Sequence, residues 1–125
     1  MYRPIVVVDA DEEQCLELCS TLEREKFRAS SFHTLADLEG EIEKGCCWLA
    51  ILDLDSLPVN NKLFRRLKKT SPALCIIGLS RRPFHPELEE AMSTHIYACL
   101  GKPVDEEDLV FLVKSLGEKV MAQTP

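Results

Sequence analysis

Short runs of apolar residues punctuate the chain, and each gives way to polar or turn-forming positions. Ile5-Val6-Val7-Val8 is β-branched and apolar throughout, as a buried strand requires, and stops at Asp9-Ala10-Asp11. Cys15, Leu18, Cys19 and Leu22 then recur at helical spacing, which predicts a helix from Asp11 with an acidic first turn. Residues 27–32 read as a short second strand, and Arg28, Ser30 and Ser31 interrupt its apolar pattern as an edge position allows. Thr34 has the character of a helix cap, with Asp37 three residues on; Leu35, Leu38 and Ile42 form the buried side before Gly45 ends the turn. Residues 48–52 predict a central strand that closes on Asp53-Leu54-Asp55-Ser56-Leu57-Pro58. A helix follows Val59-Asn60-Asn61, with Leu63, Phe64 and Leu67 inward, Lys62, Arg65, Arg66, Lys68 and Lys69 outward, and Pro72 as its breaker. Residues 74–79 predict a fourth strand ending in Ser80, and Pro86 opens a helix that turns Leu88, Ala91 and Met92 inward. Residues 96–100 form the fifth predicted strand, before Gly101-Lys102-Pro103, and the last helix starts near Asp105 with Leu109, Leu112, Val113, Leu116 and Val120 on one stripe.

Strands alternating with helices in this way imply a parallel sheet covered on both faces and joined by right-handed crossovers. In such folds the chemistry sits at the carboxyl ends of the strands. Asp9, Asp53, Ser80 and Lys102 all fall at or just after predicted strand ends. Asp53 has a competing reading as an ordinary loop residue beside Ser56 and Pro58, and Glu12 and Glu13 are better read as helix-terminus acids.

The 125 residues suit one domain, residues 1–125, with a single core. Its 21 acidic against 15 basic residues give a net charge of -6, which argues against binding nucleic acid or anionic membrane through net charge. The basic run from Lys62 to Lys69 reads as a solvated helix face. No apolar run is long enough to span a bilayer and no signal-peptide pattern follows Met1, so a soluble cytoplasmic protein is expected. Cys15, Cys19, Cys75 and Cys99 fall at apolar positions of predicted elements, and Cys46 and Cys47 lie just before the central strand. His33, His85 and His95 stand at no ligand-like interval, so thiol–imidazole metal binding is not expected.

Two carboxylates at neighbouring strand ends suit a hard cation such as Mg²⁺. A carboxylate held there can also attack a phosphoryl group to form an acyl phosphate, with a lysine and a hydroxyl neutralising the developing charge. Val8-Asp9, Leu52-Asp53, Leu79-Ser80 and Gly101-Lys102-Pro103, in that order and in register with the strands, resemble the receiver domain of two-component response regulators across essentially the whole chain. The resemblance implies a flavodoxin-like (βα)5 three-layer α/β sandwich with a parallel sheet of order 2-1-3-4-5. It implies Asp53 as phosphoacceptor, Ser80 and Lys102 as phosphoryl contacts, and Mg²⁺ held by Asp9, Asp53 and the Asp55 backbone carbonyl, with Asp11 a further candidate.

The chain also departs from that family. The usual second acid after the first strand is Ala10, which predicts Mg²⁺ affinity weaker by about tenfold. Pro58 stands five residues after Asp53 rather than four, and Asn61 stands where the family places Gly, a residue whose left-handed conformation Asn tolerates. Arg81-Arg82 follow Ser80 in place of a small residue, and Cys99 replaces the aromatic that changes rotamer on activation, with Tyr97 on the same face of the strand. The resemblance implies a signalling module rather than an enzyme. Its partners would be a histidine kinase or phosphotransfer protein, and a downstream protein or fused effector domain reached through the fourth helix, fifth strand and last helix; a homodimer is a further candidate. A receiver-like interaction module that is never phosphorylated is the alternative favoured by Ala10, the altered loop and Cys99. Ile51-Leu52-Asp53-Leu54-Asp55 also resembles the D-x-D motif of haloacid-dehalogenase-type phosphatases, but it follows the third strand rather than the first. A flavodoxin proper is excluded by the lack of a Ser/Thr/Gly-rich loop after the first strand.

Overall fold

The computed structural model describes residues 4–45 and 47–122; Cys46 and the chain ends lie outside them. Strands β1 (Ile5–Val8), β2 (Ala29–Phe32), β3 (Leu49–Asp53), β4 (Cys75–Ser80) and β5 (Ala98–Gly101) form one sheet, accompanied by α1 (Glu12–Arg24), α2 (Leu35–Glu43), α3 (Asn61–Thr70) and α4 (Glu106–Ala122). Every pairing is parallel and the order is β2-β1-β3-β4-β5, the flavodoxin-like arrangement the sequence implies.

The uninterrupted apolar runs are explained by this topology. Alternate residues of a strand point to opposite faces, so a strand covered on both sides needs apolar side chains at every position. Val6, Val8, Ala50, Leu52 and Ile76 pack with Leu38 and Ile42 of α2 and Leu63, Phe64 and Leu67 of α3. Ile5, Val7, Leu49, Ile51, Ile77 and Leu79 meet Cys15, Leu18 and Leu22 of α1 and Leu109, Val113 and Leu116 of α4 on the other face. The helix starts follow the sequence: Asp11 Oδ1 accepts from the Glu13 and Gln14 N–H groups, Thr34 from Asp37, and Asn60 Oδ1 from Leu63 at 2.9 Å. Gly45, at φ +73°, turns the chain out of α2 as expected.

Some boundaries move by a residue or two. β2 begins at Ala29 because Lys26, at φ +70°, and Phe27 close the turn after α1, the Phe27 N–H donating to the Leu22 carbonyl. β3 and β4 extend far enough to include Asp53 and Ser80 as their last residues. Cys15, Cys19 and Cys47 are buried, but Cys99 is exposed on edge strand β5, contrary to its apolar placement in the sequence reading. The basic face of α3 is solvated yet engaged, with Arg65 pairing Glu90 at 2.8 Å and Arg66 pairing Glu39 at 2.9 Å.

The helix expected from Pro86 is the largest difference. The segment 86–95 is a 3-10 turn at Pro86–Leu88 that runs into a π turn at Ala91–His95, although Leu88 and Ala91 still face the core. Asn61 supplies the reason. Its Oδ1 accepts from the Ala91 N–H at 3.0 Å and its Nδ2 donates to the Glu87 carbonyl at 3.3 Å, so one side chain takes both ends of the bond a regular helix would make between them. The Ile96 N–H then reaches five residues back to the Ala91 carbonyl. Asn61 is the first residue of α3 and does not adopt the left-handed conformation considered for it. Among the described residues no helix is long and apolar enough to cross a membrane.

Gly78 of β4 lies between Leu52 and Cys99 in the sheet, and a Cβ there would stand 2.8 Å from Leu54 Cδ1. Gly78→Ala therefore forces Leu54 off its site and is expected to cost about 1–3 kcal/mol in urea unfolding, with the m-value unchanged.

Candidate functional site

The strand ends bring the sequence-predicted residues to one place. Asp9 follows β1, Asp53 ends β3, Ser80 ends β4 and Lys102 follows β5, and Asp9, Asp53 and Ser80 are 0%, 2% and 3% exposed. Lys102 Nζ donates to Asp53 Oδ2 at 2.5 Å and lies 3.4 Å from Asp55 Oδ2. The peptide between Lys102 and Pro103 is cis.

Asp53 is fully engaged. Its Oδ1 accepts from the Asp55 N–H at 2.9 Å, and its Oδ2 accepts from Lys102 and from Gln14 Nε2, the latter at 3.1 Å. Gln14 Nε2 also donates to Asp9 Oδ2, so one neutral amide bridges the two carboxylates. Asp9 Oδ1 in turn accepts from the Asp11 N–H at 2.8 Å and from the Ser56 hydroxyl at 3.2 Å. Sequence reasoning missed Gln14. The available signal was its place in the first turn of a helix that begins just above Asp9, next to the inward-facing Cys15.

Burial pushes the Asp9 carboxyl above the ordinary carboxylate range and the Asp53 charge adds to this, while the Asp11 N–H works in the opposite direction. Two carboxylates close together in a dry pocket repel, and the Gln14 amide relieves that repulsion without adding charge. The arrangement does not fit a divalent cation as it stands. Ala10 offers no side-chain oxygen, Asp11 caps α1, and Gln14 directs N–H groups at lone pairs that a cation would need. Among the described residues, no group of three or more His, Cys, Asp and Glu is arranged to hold a metal ion.

The Asp55 side chain has a part that its sequence position did not reveal. Ser80 Oγ donates to Asp55 Oδ1 at 2.8 Å, the Arg81 N–H donates to Oδ2 at 2.9 Å, and Lys102 stands beside Oδ2. Burial alone would raise this carboxyl, but the Arg81 N–H, Ser80 and Lys102 together hold it below the ordinary carboxylate value. Burial likewise works against the Lys102 ammonium, and Asp53 and Asp55 outweigh it so that Lys102 is held above the ordinary lysine value. Arg82 brings no cation to Asp53, because its guanidinium pairs with Glu87 and His85. Tyr97, just before β5, is half-exposed, and its hydroxyl accepts from Lys119 Nζ at 3.0 Å.

Solved structures place this fold among receivers. A CheY-like response regulator receiver domain from Methanospirillum hungatei gives a TM-score of 0.88 at 19% identity, covering 99% of this chain and 100% of that one. The signal receiver domain of an HD-domain-containing protein from Pseudomonas fluorescens gives 0.85 at 20% identity, covering 98% of this chain and 93% of that one. The beryllofluoride-activated NtrC4 receiver domain dimer gives 0.82 at 22% identity, over 93% and 97% of the two chains. The chain therefore has the fold of response-regulator receiver domains. No protein-family model and no curated protein matches the sequence.

Asp55→Asn keeps the shape of the side chain and removes its charge, and is expected to cost about 1–3 kcal/mol at neutral pH. A carboxyl held below its ordinary value stabilises the fold above the unfolded-state pKa, and this contribution is lost as pH falls through the folded-state value. The stability gap between wild type and Asp55→Asn should thus persist through neutral pH and close on acidification. Lys102 and Asp53 face Asp55 in both proteins, so urea unfolding of the pair from neutral to acidic pH isolates the Asp55 contribution; a gap that widens in acid would contradict the assignment.

Proposed function

We propose that this chain is a receiver-type signal-transduction domain in which Asp53 accepts a phosphoryl group from a histidine kinase or phosphotransfer protein. The observation that carries this reading is the Lys102–Asp53 contact at a strand end that also gathers Ser80 and the Arg81 N–H. An Asp53 oxygen would attack the phosphorus of a phosphohistidine, the P–N bond would break with its electron pair leaving on the imidazole, and an acyl phosphate would form. Lys102, the Ser80 hydroxyl and the Arg81 N–H would carry the charge on the phosphoryl oxygens.

Acetyl phosphate replaces the kinase in the test, with acetate as leaving group. Intact mass spectra should gain one phosphate in the wild type and none in Asp53→Asn. A specific observation favours a second reading, that of a protein-interaction module that is never phosphorylated: the Asp53 oxygens already accept three hydrogen bonds. No adduct under any condition, with partner binding indifferent to Asp53→Asn, would select it. The phosphatase reading loses support because Asp55, held ionised, is unsuited to protonating a leaving group.

Mg²⁺ would be held by Asp9, Asp53 and the Asp55 carbonyl only after the Gln14 amide gave way, so affinity should be weak. Ala10→Asp combined with Gln14→Ala is expected to raise Mg²⁺ affinity by about tenfold or more in calorimetric titration, and equal affinities would count against the site. Output would pass to a downstream protein, a fused effector domain or a second copy of the chain through the 86–95 segment, β5 and α4. Phe84 just before that segment, Tyr97 just before β5 and Phe111 on α4 are exposed aromatics.

A further inference from the structure

We infer that the Asp55 carboxylate occupies the phosphoryl pocket of this domain, as a built-in anion with which an incoming phosphoryl group must compete. The inference rests on the reading of Ser80, Arg81 and Lys102 as that pocket. A phosphoryl group on Asp53 would need donors beside the Asp53 oxygens. The neighbouring donors are the Ser80 hydroxyl and the Arg81 N–H, which are turned to Asp55 at 2.8 Å to Oδ1 and 2.9 Å to Oδ2, and the Lys102 ammonium, which donates to Asp53 and also stands 3.4 Å from Asp55 Oδ2. Both carboxylate oxygens are used, which is how a pocket for an oxyanion is filled.

Chain geometry makes this possible. The Asp53 Oδ1 bond to the Asp55 N–H folds residues 53–55 into a tight turn, and this turn brings the Asp55 side chain back over the strand ends. The Leu54 N–H donates to the Leu79 carbonyl at 2.9 Å, which pins the turn to β4 beside Ser80. Leu54 itself is buried against Gly78, so the turn is anchored on its apolar side as well. Asp55 is the most exposed of the three, its side chain 25% exposed against 8% for Lys102 and 2% for Asp53. It can swing into solvent and leave Ser80, Arg81 and Lys102 available to another anion. The domain thus carries within itself the negative charge that a receiver otherwise acquires by modification, and unmodified Asp53 already sits in an anion-filled site.

The test titrates inorganic phosphate into the wild type and Asp55→Ala, following the Arg81 backbone amide by ¹⁵N NMR and the melting temperature by calorimetry. Asp55→Ala should bind phosphate about tenfold or more tightly than the wild type, with a saturable shift at Arg81. Asp55→Asn, which keeps an acceptor but not the charge, should fall between the two and guards against a folding defect in the alanine variant. Equal affinity in wild type and Asp55→Ala, or no binding to a folded Asp55→Ala, overturns the inference. A parallel acetyl phosphate reaction separates it from the phosphoacceptor reading. Phosphate binding by Asp55→Ala without any adduct on Asp53 sustains the built-in anion and removes the phosphoacceptor. An adduct that forms equally fast in both proteins does the reverse.

Discussion

The contact between the Lys102 ammonium and the Asp53 carboxylate, 2.5 Å apart and nearly closed to solvent, is the interaction on which the strand-end cluster depends. Parallel strands deliver Asp9, Asp53 and Ser80 to one edge whether or not their charges are compatible. Burying carboxylates costs several kcal/mol each unless they are paired and hydrogen-bonded. Lys102 neutralises Asp53 directly and reaches Asp55 as well, while the backbone N–H groups of residues 11, 55 and 81 and the side chains of Gln14, Ser56 and Ser80 donate to the carboxylate oxygens. Without that ammonium the site would be a cluster of carboxylates with only neutral donors around it.

Ala10 and Gln14 are best understood together. Replacing an acid by Ala10 removes a charge and an oxygen that a divalent cation would use. The Gln14 amide sits across the remaining pair and hydrogen-bonds Asp9 and Asp53 with neutral N–H groups. Asp55 completes the compensation on the other side of Asp53, where it engages the donors of Ser80 and Arg81. A neutral donor between Asp9 and Asp53 and a carboxylate facing the donors of Ser80 and Arg81 leave the cluster internally satisfied. Ala10, Gln14 and Asp55 therefore account for one another.

Asn61 shows how a single polar side chain can redirect an element some distance along the chain. By bonding the Glu87 carbonyl and the Ala91 N–H it competes with helix formation in the 86–95 segment, which keeps its apolar contacts and loses its regular turns. The irregular backbone gives this face of the molecule a shape a regular helix would not.

The five strands, their parallel association and the residues at their ends were legible in the sequence, because burial on both faces demands unbroken apolar runs and strand ends mark the reactive edge. Asp9, Asp53, Ser80 and Lys102 were found for that reason. Gln14 and the side chain of Asp55 were not, since the sequence places both beside the site but does not give the direction in which each points. The path of residues 86–95 was hidden for a related cause: its local pattern favours a helix, and only a side chain on α3, distant in sequence, opposes it. Periodicity fixes which faces are buried, whereas hydrogen bonds between residues far apart in the chain are decided by how the elements pack.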